Sequence, residues 1–130
     1  MRTDKNSKNS KKEKIMQDCI FCKIAKHEIE TEMVYEDDFV VAFKDMNPVA
    51  PVHILIVPKE HVNNFYELAT NSQKALIMGA VTDAAAAIAD QFGTSDGFRL
   101  ITNNGKDAGQ TVFHLHFHLI GGEVLGAKLI

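Results

Sequence analysis

Hydrophobic and polar positions switch between two periods along the chain, and the switches mark its elements. In CIFCKIAKHEI, Ile20, Phe21 and Ile24 recur at helical spacing behind Asp18, a residue type suited to an N-cap, so a short helix is predicted there. MVYED and FVVAFKD read as two strands, split into a hairpin by the acidic pair Asp37 and Asp38. NPVAPVH interrupts with two prolines and leads into ILIVP, an unbroken apolar run suited to a buried central strand that Pro58 ends. From Ser72 to Phe92 the period is helical again. Leu76, Ile77, Ala80, Val81, Ala84, Ile88 and Phe92 form one stripe, Asn71 or Thr70 can cap its start, and Gly93 can close its end. FRLITN and VFHLHFHLI follow as two further strands, joined by the glycine-bearing loop NGKDAGQ. This order implies an α+β fold: an antiparallel five-stranded sheet with a long helix and a short N-terminal helix covering one face.

Composition adds a boundary to this pattern. The chain has 130 residues, 45% of them hydrophobic, which suits one globular domain. No apolar run approaches the roughly 18 residues of a membrane span, and the start lacks the apolar stretch of a signal peptide. Residues 1–14 hold six of the 14 basic residues and two of the 17 acidic ones, leaving 8 basic against 15 acidic, or −7, for the remainder. That Lys/Asn/Ser-rich start has no apolar periodicity and reads as a disordered tail, with the domain at 15–130. The acidic body argues against a nucleic-acid partner, and no membrane partner is expected. Cys19 and Cys22 are too close together for a secreted disulfide framework, so a reducing, cytoplasmic compartment is expected.

Candidate chemistry concentrates in HLHFHLIGG. In a strand, His114, His116 and His118 share one face and Leu115, Phe117 and Leu119 the other, with neighbouring imidazoles roughly 6.5 to 7 Å apart. The apolar set should lie under the long helix. Three imidazoles in a row repel when protonated and each need a partner when buried, so stability gives no reason for them. They suit either metal ligation or nucleophilic and acid-base work at a phosphate or acyl centre. The preceding loop, with Gly105, Gly109 and the segment Ala108 to Thr111, can turn backbone N–H groups towards an anion beside the Thr111 hydroxyl.

GQTVFHLHFHLIGG resembles the signature of the histidine triad (HIT) family of nucleotide hydrolases and transferases. The resemblance extends from CIFCKI through YEDDFVVAFKDMNPVAPVHILIVPKEH, the long helix and ITNNG to Gly122. Gly121-Gly122 after the triad is similar to the HINT branch of nucleoside phosphoramidases. The resemblance implies a nucleotide hydrolase acting on purine nucleoside 5'-phosphoramidates or acyl-nucleotides, with a dinucleoside polyphosphate hydrolase or a noncatalytic nucleotide binder as alternatives. It implies that His116 is the nucleophile, that His53 orients it through its other ring nitrogen, and that His118 holds the phosphate oxygens, with no metal needed for the chemistry. Asp45 would take the ribose hydroxyls; as a residue in its own right it reads equally as a turn former before Asn47-Pro48. Ile20, Phe21, Ile24, Phe43 and Met46 would form the slot for the base, positions that periodicity alone assigns to the core. Asn103, Gly109, Gln110 and Thr111 fall where the family places the phosphate and leaving group. A homodimer is implied, joined through the long helix and a strand so that the sheet continues across the two-fold axis.

CxxC has three readings: buried small side chains, a redox pair, or half of a zinc site. Some members of the family hold a structural zinc, and the resemblance supplies a Cys2His2 set in Cys19, Cys22, His61 and His114. His27 competes by proximity alone. A further reading makes the histidine row itself a catalytic metal site. The C-terminal EVLGAKLI departs from the branch that ends in an aromatic-containing tail, which leaves leaving-group preference open.

Overall fold

The computed structural model describes residues 18–128. The expected tail, residues 1–14, and the expected domain start at residue 15 lie outside that range. The described elements are α1 (Ile20–Ala25), β1 (Met33–Glu36), β2 (Val40–Lys44), β3 (Val52–Pro58), α2 (Phe65–Leu68), α3 (Lys74–Gln91), β4 (Phe98–Ile101), a 3-10 turn (Lys106–Ala108) and β5 (Phe117–Gly121). The five strands form one antiparallel sheet in the order β1-β2-β3-β5-β4. The hairpin between β1 and β2 turns on Asp37, whose Oδ1 accepts from the N–H groups of Phe39 and Val40, both at 2.8 Å.

Strand alternation sorts the core into two layers. Val40, Ala42, Ile54, Ile56, Phe117 and Leu119 point to one face and meet Ile77, Ala80, Val81, Ala84, Ala85 and Ile88 of α3. Val41, Phe43, Leu55 and Val57 point to the other, where Phe21, Ile24 and Ala25 of α1 cover them. The expectation that both helices cover one face is therefore corrected. The central strands are apolar on both faces, so each face requires its own helix, and α1 takes the face opposite α3.

Element ends also differ from expectation. Cys19, not Asp18, caps α1: its Sγ accepts from the Cys22 N–H at 3.4 Å. Helix α3 starts at Lys74 rather than Ser72, because the Asn71 side chain is spent on the Gln73 N–H at 2.8 Å and tightens the turn before the helix. Leu76 falls off the buried stripe and is exposed, while Ala85 and Ala89 join it. Gly93 closes the helix with φ +70°. Strand β5 begins at Phe117, five residues after Val112, so His114 and His116 stand outside the ladder. At its far end Gly122 takes φ +89°, and a Cβ there would lie 3.0 Å from the Pro51 Cβ.

Candidate active site

The histidine row lies on the α1 side of the sheet, while Leu115, Phe117 and Leu119 pack in the α3 layer. Residues 112–114 bend and the strand starts only at Phe117, yet Leu115 still packs in the α3 layer and His116 against Phe21, so the division of faces holds. The three rings then separate into two groups. His116 and His118 stay together with ring centroids 5.1 Å apart, and His114 turns to His61, 4.8 Å away.

Hydrogen bonds fix which nitrogen of each ring is available. His116 Nδ1 lies 2.7 Å from the His114 carbonyl oxygen; only an N–H can donate there, which leaves Nε2 with a free lone pair. The N–H of Val49 donates to His53 Nδ1 at 3.1 Å, so in the neutral ring the proton sits on Nε2. That proton is given to His118 Nδ1 at 2.9 Å, with Asp45 Oδ2 at 3.4 Å from the same His53 nitrogen. His118 thus accepts at Nδ1 and carries its proton on Nε2. Thr94 Oγ1 is the only buried side-chain polar atom without a partner among the described residues, so the free Nε2 atoms of both His116 and His118 reach solvent. A lone-pair nitrogen and an N–H donor therefore stand on adjacent rings.

His53 lies against His118 rather than His116: it holds the His118 ring, and the second nitrogen of His116 is held by a backbone carbonyl. The electrostatics suit neutral rings. Burial lowers the pKa of His116, and burial together with the neighbouring His116 and His53 rings brings His118 down to about 4.

A second cluster adjoins the first. Cys19, Cys22, His61 and His114 bring one ligand atom each to within 4.8 Å of one another. His114 Nδ1 is 3.3 Å from Cys19 Sγ and 3.4 Å from Cys22 Sγ, and His61 Nδ1 is 3.1 Å from Cys22 Sγ. Each ring's Nε2 faces an oxygen, Pro58 O at 2.7 Å for His114 and Asn63 Oδ1 at 2.9 Å for His61. That arrangement puts the protons on Nε2 and the lone pairs towards the sulfurs, the second layer that metal-ligating histidines require. Burial raises the Cys19 thiol, but its contacts with the rings of His114 and His61 outweigh that and bring it to about 5; burial and the adjacent Cys19 push Cys22 up to about 12. The donor set fits a tetrahedral ion such as zinc. His27 is elsewhere, paired with Glu36 at 2.9 Å.

Asp45, His53 and His118 also place ligand-type atoms within 4.8 Å of one another. Here the second layer is wrong: the N–H of Val49 keeps His53 Nδ1 an acceptor, so its Nε2 bears the proton that a metal would have to replace. The trio is a proton-sharing chain, which removes support from the reading of the row as a catalytic metal site.

The expected nucleotide contacts fare unevenly. Phe21, Ile24 and Phe43 are buried among one another, with Phe21 edge-on to His116 at 5.1 Å, and Ile20 and Met46 stand exposed at the margin. Asp45 serves as the turn former, accepting from the Asn47 N–H at 2.8 Å, while its other oxygen faces His53. Asn103 is half-buried, and Gly109 and Thr111 are exposed. Gln110 turns inward: its side chain donates to Asn63 O at 2.7 Å and Val112 O at 3.0 Å and accepts from the Gly105 N–H at 2.8 Å, so it clamps the loop from inside. The N–H groups of Ala108, Gly109 and Gln110 are likewise spent within the 3-10 turn, contrary to the anion-binding role expected of them. Three positioning groups carry no sequence signal: Thr102, whose hydroxyl donates to His116 O at 2.8 Å, the Pro58 carbonyl, and Asn63.

The model of the HIT domain matches residues 26–125. Protein HitA of Neisseria gonorrhoeae is 45% identical over 109 residues, covering 84% of this chain and 100% of its own. The purine nucleoside phosphoramidase of Escherichia coli (strain K12) is 43% identical over 114 residues, 87% of this chain and 94% of that one. Among solved structures, a HIT family hydrolase from Clostridium thermocellum shares 50% identity and superposes with a TM-score of 0.81, covering 87% of this chain and 97% of the other. With its domain model spanning the sheet and the histidine row, the chain belongs to the HIT domain family.

Proposed function

We propose that this protein hydrolyses nucleoside 5'-phosphoramidates, or the related acyl-nucleotides, through a nucleotidyl intermediate on His116. The observation that carries this reading is the pair of adjacent rings presenting opposite nitrogens, a lone pair on His116 Nε2 and an N–H on His118 Nε2. His116 attacks the α-phosphorus, a phosphorus–His116 bond forms, and the bond to the leaving nitrogen breaks. The departing amine takes a proton from the His118–His53 chain beside it, and His118 stabilises the charge on the phosphoryl oxygens. Water then attacks the same phosphorus, the phosphorus–His116 bond breaks with its electron pair returning to Nε2, the nucleoside monophosphate leaves, and the water's proton restores the chain. A neutral imidazole is the reactive form, and the lowered pKa of His116 keeps it neutral near pH 7. The relative named purine nucleoside phosphoramidase, 43% identical, supports the same substrate class.

The Cys2His2 cluster would hold a structural zinc, supported by its converging sulfurs and correctly protonated rings. Homodimerisation is supported by the edge strand β4: Phe98 and Leu100 are exposed beside Ala85, Ala86 and Ala89 of α3, around a shallow cavity of about 350 Å³. No helix among the described residues is long and apolar enough to cross a membrane. The test is turnover of adenosine and guanosine 5'-phosphoramidates, with rapid acid-free quenching to capture the nucleotidyl protein. His116→Ala should abolish both turnover and capture while nucleoside monophosphate still binds. Binding without turnover by the wild-type chain would reduce it to a nucleotide-binding module.

A further inference from the structure

The cysteine–histidine cluster and the reactive rings are joined by more contacts than a remote staple requires. His114 belongs to both: its ring faces the two sulfurs, and its carbonyl oxygen accepts the proton that sets the tautomer of His116, at 2.7 Å. A second link runs through the neighbour of His61, since Val62 O accepts from the Leu115 N–H at 2.6 Å, between His114 and His116 in sequence. The third passes through Asn63, whose side chain fixes His61 and whose carbonyl accepts from Gln110, the clamp of the loop ahead of the triad. Phe21, lying in the chain between the two cysteines, sets its ring edge-on to both His114 and His116, at 6.1 and 5.1 Å. Gln110, Leu115 and the His116 ring are thus tied to Asn63, Val62 and His114, on or within two residues of the cluster's ligands, while Thr102 holds the His116 carbonyl from the β4 side. The ladder does not hold them, for β5 starts only at Phe117.

We propose that the Cys19–Cys22–His61–His114 cluster positions the nucleophile, so that what the cluster holds sets the aim of His116. Cys19, Cys22 and His61 are then positioning residues acting through His114. The proposal rests on His116 being the nucleophile, and it goes further in giving the cluster a part in turnover beyond stability. A rigid-body shift of His114 moves the carbonyl and, with it, the hydrogen-bonded ring. His118 is braced independently by His53 and is left in place.

Exchanging the ion tests this in folded protein. The full chain is prepared with Zn²⁺, Co²⁺ or Cd²⁺ as the only metal, and kcat and KM for adenosine 5'-phosphoramidate are measured beside the ¹⁵N signals of the histidine rings. A misplacement of about 1 Å costs on the order of 100-fold, so a shift of roughly 0.3 Å forced by the larger Cd²⁺ should lower kcat about fourfold. KM should hold, the His116 ring signals should move, and those of His118 should not. Identical kcat and His116 signals across the three ions would overturn the proposal. So would a chain that binds none of them stoichiometrically. If no form turns over any phosphoramidate, the functional reading fails by itself and the ring signals alone decide the positioning claim.

Discussion

Thr102→Val removes a single donor from the least protected part of the site. The Thr102 hydroxyl donates to the His116 carbonyl at 2.8 Å, one residue beyond the last β4–β5 pair, Ile101 with His118. Where strand β5 would have offered that carbonyl a ladder partner, the side chain of β4's successor does so instead. Valine keeps the shape and the β-branched backbone preference, so the change isolates the bond. His116 is 8% exposed, and leaving its carbonyl without the donor costs about 1–3 kcal/mol. For a domain of this size that is a fall in melting temperature of roughly 4–10 °C. The ring keeps its bond to the His114 carbonyl but loses the fixed backbone behind it, so kcat should fall about tenfold while KM, set by contacts that do not involve Thr102, stays put. Thr102→Ser retains the donor and should recover most of both losses. Urea denaturation and steady-state turnover of adenosine 5'-phosphoramidate give the two readings. A valine variant matching the wild type in urea midpoint and kcat would refute the assignment of Thr102 as an anchor of His116.

Other perturbations probe separate parts of the structure. Gly122→Ala forces a Cβ onto φ +89° and to within 3.0 Å of Pro51 Cβ and 3.3 Å of the Val52 nitrogen, and should cost about 3 kcal/mol, whereas Gly93→Ala, at φ +70° in open space, should cost only about 1; equal losses in chemical denaturation would contradict the steric argument. His53→Asn removes the donor that sets the His118 tautomer and should lower kcat by up to about 100-fold without changing metal content, read by turnover and elemental analysis; unchanged kcat would show that His118 needs no partner. Because His118 is held near pKa 4 in the folded chain and a free histidine titrates near 6.5, the unfolded state binds more protons between those values. Its contribution to stability is therefore lost as pH falls through that window and is fully lost below about 4. His118→Asn lacks this loss, so its urea midpoint should gain on the wild type from pH 7 to 4.5, and a constant difference would exclude the depressed pKa.

What the sequence revealed depended on whether the information was local and periodic. The two layers of the core follow from alternation in FVVAFK and ILIVP, and the stripe of α3 from its three- and four-residue steps, because side-chain direction is set by the backbone's own period. The same rule assigns the histidines to one face and overruns the strand, since alternation of residue types does not mark where the backbone bends at 112–114 and leaves the ladder. The CxxC motif was open between three readings because its partners lie 39 and 92 residues away, and only folding brings His61 and His114 to Cys22. Gln110 is opaque for a related reason: its place beside Gly109 suggests a phosphate contact, while its burial and its bonds to Asn63 and Gly105 come from tertiary packing.

The orienting group of His116 could not have been found by searching for a side chain. It is a backbone carbonyl, present at every residue and therefore silent in any pattern of residue types. A side-chain orienter such as His53 can be deleted by one substitution and carries its own pKa; a carbonyl has neither weakness, and it fixes the lone pair on Nε2 at every pH where the ring is neutral. Its position is then governed wholly by what holds His114. That residue is held by two sulfurs and the Pro58 oxygen, so the alignment of His116, the proposed nucleophile, rests on the neighbouring cluster together with the Thr102 hydroxyl on its own carbonyl.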